Sequence, residues 1–194
     1  MSESLVREYF ELHGFLLRQQ RKHIPRTAEE DEEIDFFVFN PQAEQRPGSL
    51  PFQLEPEDLK HVAHAIVAVK GWHTDVFGAA MLSRETEVFK FADVQLLKSA
   101  TQFFGNPAIA PLRLLVISGL PRTPALRDQS VALLRQKGVD GVISFRTVLT
   151  ALIATVEVNR NYQKSDVLQL IRILKNYECF KEPQLELFRA RRKK

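Results

Sequence analysis

The chain has 194 residues, a length that fits one domain with a sizeable core. Its 44% hydrophobic and 26% charged residues are ordinary for a globular chain, and its single cysteine, Cys179, excludes an internal disulfide framework and a cysteine-based zinc site. The net charge is only +3, and its distribution says more than its sum. No apolar run is long enough to span a bilayer, and the start Met1-Ser2-Glu3-Ser4 lacks the basic-then-apolar pattern of a secretory signal, so the expectation is a cytoplasmic chain with no membrane partner. The acidic run Glu29-Glu30-Asp31-Glu32-Glu33 and the basic end from Arg189 to Lys194 each read first as solvated segments.

In chain order, Ser2 to His13 predicts a helix, because Leu5, Val6, Tyr9, Phe10 and Leu16 follow a three-to-four spacing. Gly14 supplies its stop. Phe15 to Arg21 predicts a strand, and Pro25 with the acidic run marks a loop. Ile34 to Asn40 is a second strand, rich in aromatic and β-branched residues and ended by Asn40-Pro41. Pro56-Glu57-Asp58-Leu59 starts a short helix, and Ala65 to Lys70 is a buried strand closed by Gly71. Asp93 caps an expected helix through Val94, Leu97, Ala100, Phe103 and Phe104. Leu112 to Ile117 is a near-continuous apolar strand, as buried parallel strands are. A helix over Ala125 to Lys137 stops at Gly138, a short strand covers Gly141 to Phe145, and two further helices carry Val148 to Val156 and Val167 to Leu174, the last capped by Ser165. Early strands close in sequence predict antiparallel pairing, and later strands separated by helices predict parallel additions. The expectation is a single α/β domain over residues 1–194, with a mixed sheet and helices on both faces.

Two residues break the apolar pattern of neighbouring strands. They are Asp35 in Glu33-Ile34-Asp35-Phe36-Phe37-Val38-Phe39 and Lys70 in Ala65-Ile66-Val67-Ala68-Val69-Lys70-Gly71-Trp72. Alternation puts Ile66, Ala68 and Lys70 on one side of their strand, and an Asp35 at matching height brings a carboxylate to an ammonium. An acid beside an amine suits magnesium-assisted phosphodiester cleavage, in which the cation polarises phosphate and lowers the pKa of bound water. The plainer reading is a structural ion pair. Trp72 is a candidate base-stacking residue or a core anchor, and His73 a candidate proton carrier. With His61 and His64, His73 matches no standard zinc spacing. Arg18, Arg21 and Lys22 are candidates to face phosphate, with solvated charge as the default. Ser118-Gly119 follows a parallel strand, where α/β proteins bind ligands, but no glycine-rich phosphate loop accompanies it. Helix surfaces near Tyr162 and Tyr177 read as core or as a homodimer contact.

The order of elements, with Glu33-Ile34-Asp35 as first acidic motif and Val67-Ala68-Val69-Lys70 as second, resembles the PD-(D/E)XK restriction-endonuclease-like superfamily. The likeness covers roughly residues 1–120, leaving 121–194 as an α/β extension with an extra strand, helices and the basic tail. The helix from Glu3 through Tyr9-Phe10 to Gly14-Phe15 is similar to the first helix of Holliday-junction-resolvase branches. The resemblance implies a nuclease-like protein that binds nucleic acid, DNA above all. It implies catalytic roles for Asp35, Lys70 and Glu3, magnesium on Asp35 and Glu3, and nucleic-acid contacts from Arg18, Arg21, Trp72 and His73. The departure is Ala68, where the superfamily carries Glu or Asp. Either another carboxylate replaces it, with Glu3, Glu85 and Glu87 as candidates, or the fold has lost hydrolysis and acts as a DNA- or protein-interaction module.

Overall fold

The computed structural model describes residues 1–19, 34–45, 48–93, 97, 101, 104 and 110–180. Helix α1 spans Ser2–Leu12. It ends because Gly14 takes φ +81, which lets the Gly14 N–H reach the Glu11 carbonyl at 3.0 Å and the Phe15 N–H the Phe10 carbonyl at 3.1 Å. The Phe10 and Phe15 rings meet edge to face, their centroids 5.2 Å apart, and fix the exit of the chain. Strand β1 (Leu16–Gln19) then pairs antiparallel with β2 (Phe36–Phe39), and β2 antiparallel with β3 (His64–Val69). Strands β4 (Leu112–Ile117) and β5 (Gly141–Ser144) add in parallel, so the five-stranded order is β1-β2-β3-β4-β5. Between β2 and β3 lies a 3₁₀ turn over Pro56–His61, started by a reciprocal Glu55–Asp58 cap.

Strand alternation divides the core in two. Phe36, Val38, Ala65, Val67, Leu114, Val116 and Ile143 face α1 and two C-terminal helices, α4 (Phe145–Thr155) and α5 (Asp166–Asn176). Phe37, Ile66, Ala68, Leu115, Ile117 and Val142 face α2 (Ala79–Arg84), a 3₁₀ turn over Thr86–Ala92 and α3 (Pro124–Gln136). The expected mixed sheet with helices on both faces is what the chain forms.

Most of the expected elements are present, including the C-terminal helix capped by Ser165, whose Oγ accepts the Leu168 N–H at 3.2 Å. The segment Ala79–Ala92 was not anticipated. Six residues of α2 are too few to display a helical stripe, and a 3₁₀ turn has a different period from the one sought. Only Asp93, Leu97, Thr101 and Phe104 of the expected helix beyond Asp93 lie within the described residues. The Leu97 N–H bonds the Asp93 carbonyl at 3.0 Å and the Thr101 hydroxyl the Leu97 carbonyl at 2.8 Å, both at helical spacing. No helix among the described residues is long and apolar enough to cross a membrane.

Candidate functional site

Asp35 immediately precedes β2 and finishes its ladder with β3. Its N–H donates to the Val67 carbonyl at 2.9 Å, and its Oδ2 accepts the Val69 N–H at 2.6 Å. The carboxylate oxygen thus stands where a further strand carbonyl would, one residue before Lys70. The Lys70 N–H bonds the Val116 carbonyl at 2.9 Å, so the backbone of Lys70 still follows the sheet. Its half-buried ammonium has no ion-pair partner among the described residues. The acid and the amine lie at the same end of adjacent strands, and neither is sealed from solvent.

Between them, Ala68 is fully buried in the cluster that contains Phe77, Leu82, Phe91 and Leu115. Its methyl group is part of the core, and a carboxylate there would enter hydrocarbon rather than solvent. The candidate replacements Glu3, Glu85 and Glu87 all lie within the described residues. Glu3 lies on α1, which covers the opposite face, and its Oε2 accepts from Gln19 Nε2 at 2.9 Å. Glu87 pairs with the Lys90 ammonium at 2.7 Å, and Glu85 is exposed between α2 and the following 3₁₀ turn. Magnesium asks for several oxygen donors around one point. No group of three His, Cys, Asp or Glu side chains converges in this way among the described residues.

The N-terminus of α1 reaches the same end of the sheet. Ser2 Oγ lies against Gly71 so closely that a Cβ on Gly71 would collide with it, and it hydrogen-bonds His73 Nε2 at 2.9 Å. His73 is exposed and meets the Phe145 ring edge to face at 4.5 Å. Trp72 is half-buried and stacks on Phe77, with centroids 5.7 Å apart and planes 12° from parallel, so one of its ring faces is covered by core. Arg18 sits on the exposed side of β1 beside an apolar cleft of about 320 Å³ formed with Leu17, Phe37, Phe39 and His64. His64 is buried there between Phe39, stacked at 5.0 Å, and Phe104 at 4.8 Å; burial pulls its pKa below the ordinary value, and its Nδ1 has no hydrogen-bond partner. Arg21 and Lys22 lie outside the described residues.

A larger cleft of about 590 Å³ opens at the carboxyl ends of β3, β4 and β5. His73, Asp75, Ser118, Arg122, Arg127 and Arg146 are among its lining residues. Sequence reasoning reached only Ser118 and His73. Arg122 and Arg127 lie in the connection after β4 and Arg146 in the helix after β5, and the parallel pairing of β4 with β5 brings the third to the first two. The signal available beforehand was the strand-then-small-residue pattern at Ile117-Ser118-Gly119, which marks a carboxyl edge without a phosphate loop. Comparison of the chain with protein-family models, with curated proteins and with solved structures finds no match in any of the three.

Proposed function

We propose that the chain is a nucleic-acid-binding protein of restriction-endonuclease-like architecture that keeps the acid–amine pair of β2 and β3 and does not hydrolyse phosphodiesters. The observation that carries this reading is Ala68, at 0% exposure, between Asp35 and Lys70. A nuclease of this kind needs an oxygen ligand at that height of the strand, and here the space is filled by packed side chains. Asp35 Oδ2 serves the Val69 N–H, so the acid acts as a strand terminator. Lys70, at the solvent-facing end of the pair, is left to neutralise a backbone phosphate. DNA is the favoured partner, bound through Lys70 with Arg18 and His73 at the margins. Magnesium has no place in this reading, whereas a cleaving enzyme would require it.

The test is duplex binding by fluorescence anisotropy at about 50 mM salt, with and without magnesium, beside plasmid nicking in magnesium or manganese. The expected outcome is metal-independent binding, about tenfold weaker in Lys70→Ala, with no nicking. Nicking that disappears in Lys70→Ala would restore the hydrolytic reading, and no binding at that salt would remove the nucleic-acid one.

A further inference from the structure

We propose that the cleft at the carboxyl ends of β3, β4 and β5 is a binding site for a phosphomonoester of about mononucleotide size. The inference rests mainly on Arg122, Arg127 and Arg146, which the nucleic-acid reading above does not use; His73 alone is shared between the two. Open α/β sheets bind ligands outside the carboxyl ends of their parallel strands, where successive loops diverge. The cleft stands at that edge, and its volume of about 590 Å³ suits a small ligand rather than a duplex.

Its walls are tied together by the fold. The Ser118 hydroxyl donates to the Asp75 carbonyl, and the Phe77 N–H donates to the Gly119 carbonyl at 3.0 Å, joining the loop after β3 to the loop after β4. Arg127, in the first turn of α3, turns back on the loop that precedes the helix, with Nε 3.1 Å from the Pro121 carbonyl and a terminal guanidinium nitrogen 3.2 Å from the Arg122 carbonyl. Its charge is therefore fixed in place. Arg122 and Arg146 are exposed and in no ion pair among the described residues.

Charge selects the ligand. Three guanidinium groups line the cleft against one carboxylate, Asp75. Guanidinium forks match phosphate oxygens two at a time, and unpaired forks at a concave surface favour an anion with several oxygens over a monovalent carboxylate. Arg146 also borders an adjoining cleft that carries Glu55 and Glu57, whereas Arg122 and Arg127 line this one alone of the two. His73 adds a ring nitrogen, already bonded to Ser2, at the mouth.

The experiment is isothermal titration of the full chain with AMP, with inorganic phosphate and with adenosine. AMP is expected to bind, phosphate to bind more weakly and to compete with it, and adenosine to give no heat. Arg122→Ser and Arg146→Ser should each weaken AMP about tenfold. Arg122 lies in an exposed loop, so its variant tests the site even if Arg146→Ser fails to fold. Equal binding of adenosine and AMP, unchanged AMP affinity in Arg122→Ser, or no binding of either phosphate probe at about 10 mM would overturn the proposal. Loss of duplex binding alone, with AMP binding intact, bears only on the proposed function.

Discussion

His64 and Ala68 occupy alternate buried positions on one face of β3, and they show how differently a core receives unlike side chains. At Ala68 a small methyl leaves room for Phe77, Leu82 and Phe91 to close over the sheet. At His64 the imidazole is held between Phe39 and Phe104 with Nδ1 unsatisfied, so protonation would bury an unpaired charge. The folded state accordingly lowers the His64 pKa from its ordinary 6.5, by desolvation. The sign follows from linkage: between the two pKa values the unfolded chain binds a proton that the folded chain does not. This contribution to stability is whole above the unfolded pKa and declines as pH falls below about 6.5 toward the lower, folded value. Urea unfolding at a series of pH values should show this loss in the wild type, and His64→Leu should flatten that part of the profile. An unchanged profile in the variant would assign the dependence to other groups.

At the scale of elements, the strands were legible because each is a short apolar run bounded by a breaker, and both glycine stops act as expected. Gly138 takes φ +89 and sends the Val139 N–H back to Leu134, as Gly14 does after α1. Two features could not be read in this way. The helix and 3₁₀ turn over Ala79–Ala92 have no period long enough to register, yet they supply Leu82, Val88 and Phe91 to the core around Ala68. The docking of α5 on α4 depends on a long-range cap. Lys175 Nζ donates to the Ile153 carbonyl at 2.8 Å and to the Val156 carbonyl at 2.6 Å, at the end of α4, while Arg172 Nε holds the Val158 carbonyl at 2.8 Å. Helix ends leave carbonyls without partners, and an ammonium there is also favoured by the helix dipole. Lys175→Met, which retains the stem and removes the donors, should cost about 1.5 to 3 kcal/mol. Hydrogen exchange should locate the loss in Asp166–Asn176, with β3 and β4 still protected. Uniform loss across the sheet would mean that α5 does not loosen separately.

Across the whole molecule, the same sheet presents two different surfaces at one end. Asp35 and Lys70 were visible in the sequence because each interrupts an apolar strand, and adjacent strands place them at one end of the sheet, with Asp35 level with Ala68 rather than with Lys70. What local pattern could not reveal was the burial of Ala68, which depends on the unforeseen segment folding over it, or the meeting of Arg146 with Arg122 and Arg127, which depends on the parallel pairing of β4 with β5. The proposed duplex surface is poor in cations: Lys70 and Arg18, with His73 nearby, against a molecule of net charge only +3. Affinity for a duplex should therefore depend weakly on salt. Each neutralised phosphate contributes about −0.9 to the slope of log K against log salt, so roughly two contacts give a slope of about −1.8. Anisotropy between about 50 and 200 mM salt measures it, and Lys70→Ala should make it shallower by about 0.9. A slope several times steeper, unchanged in Lys70→Ala, would place the duplex on another surface and separate DNA binding from the acid–amine pair.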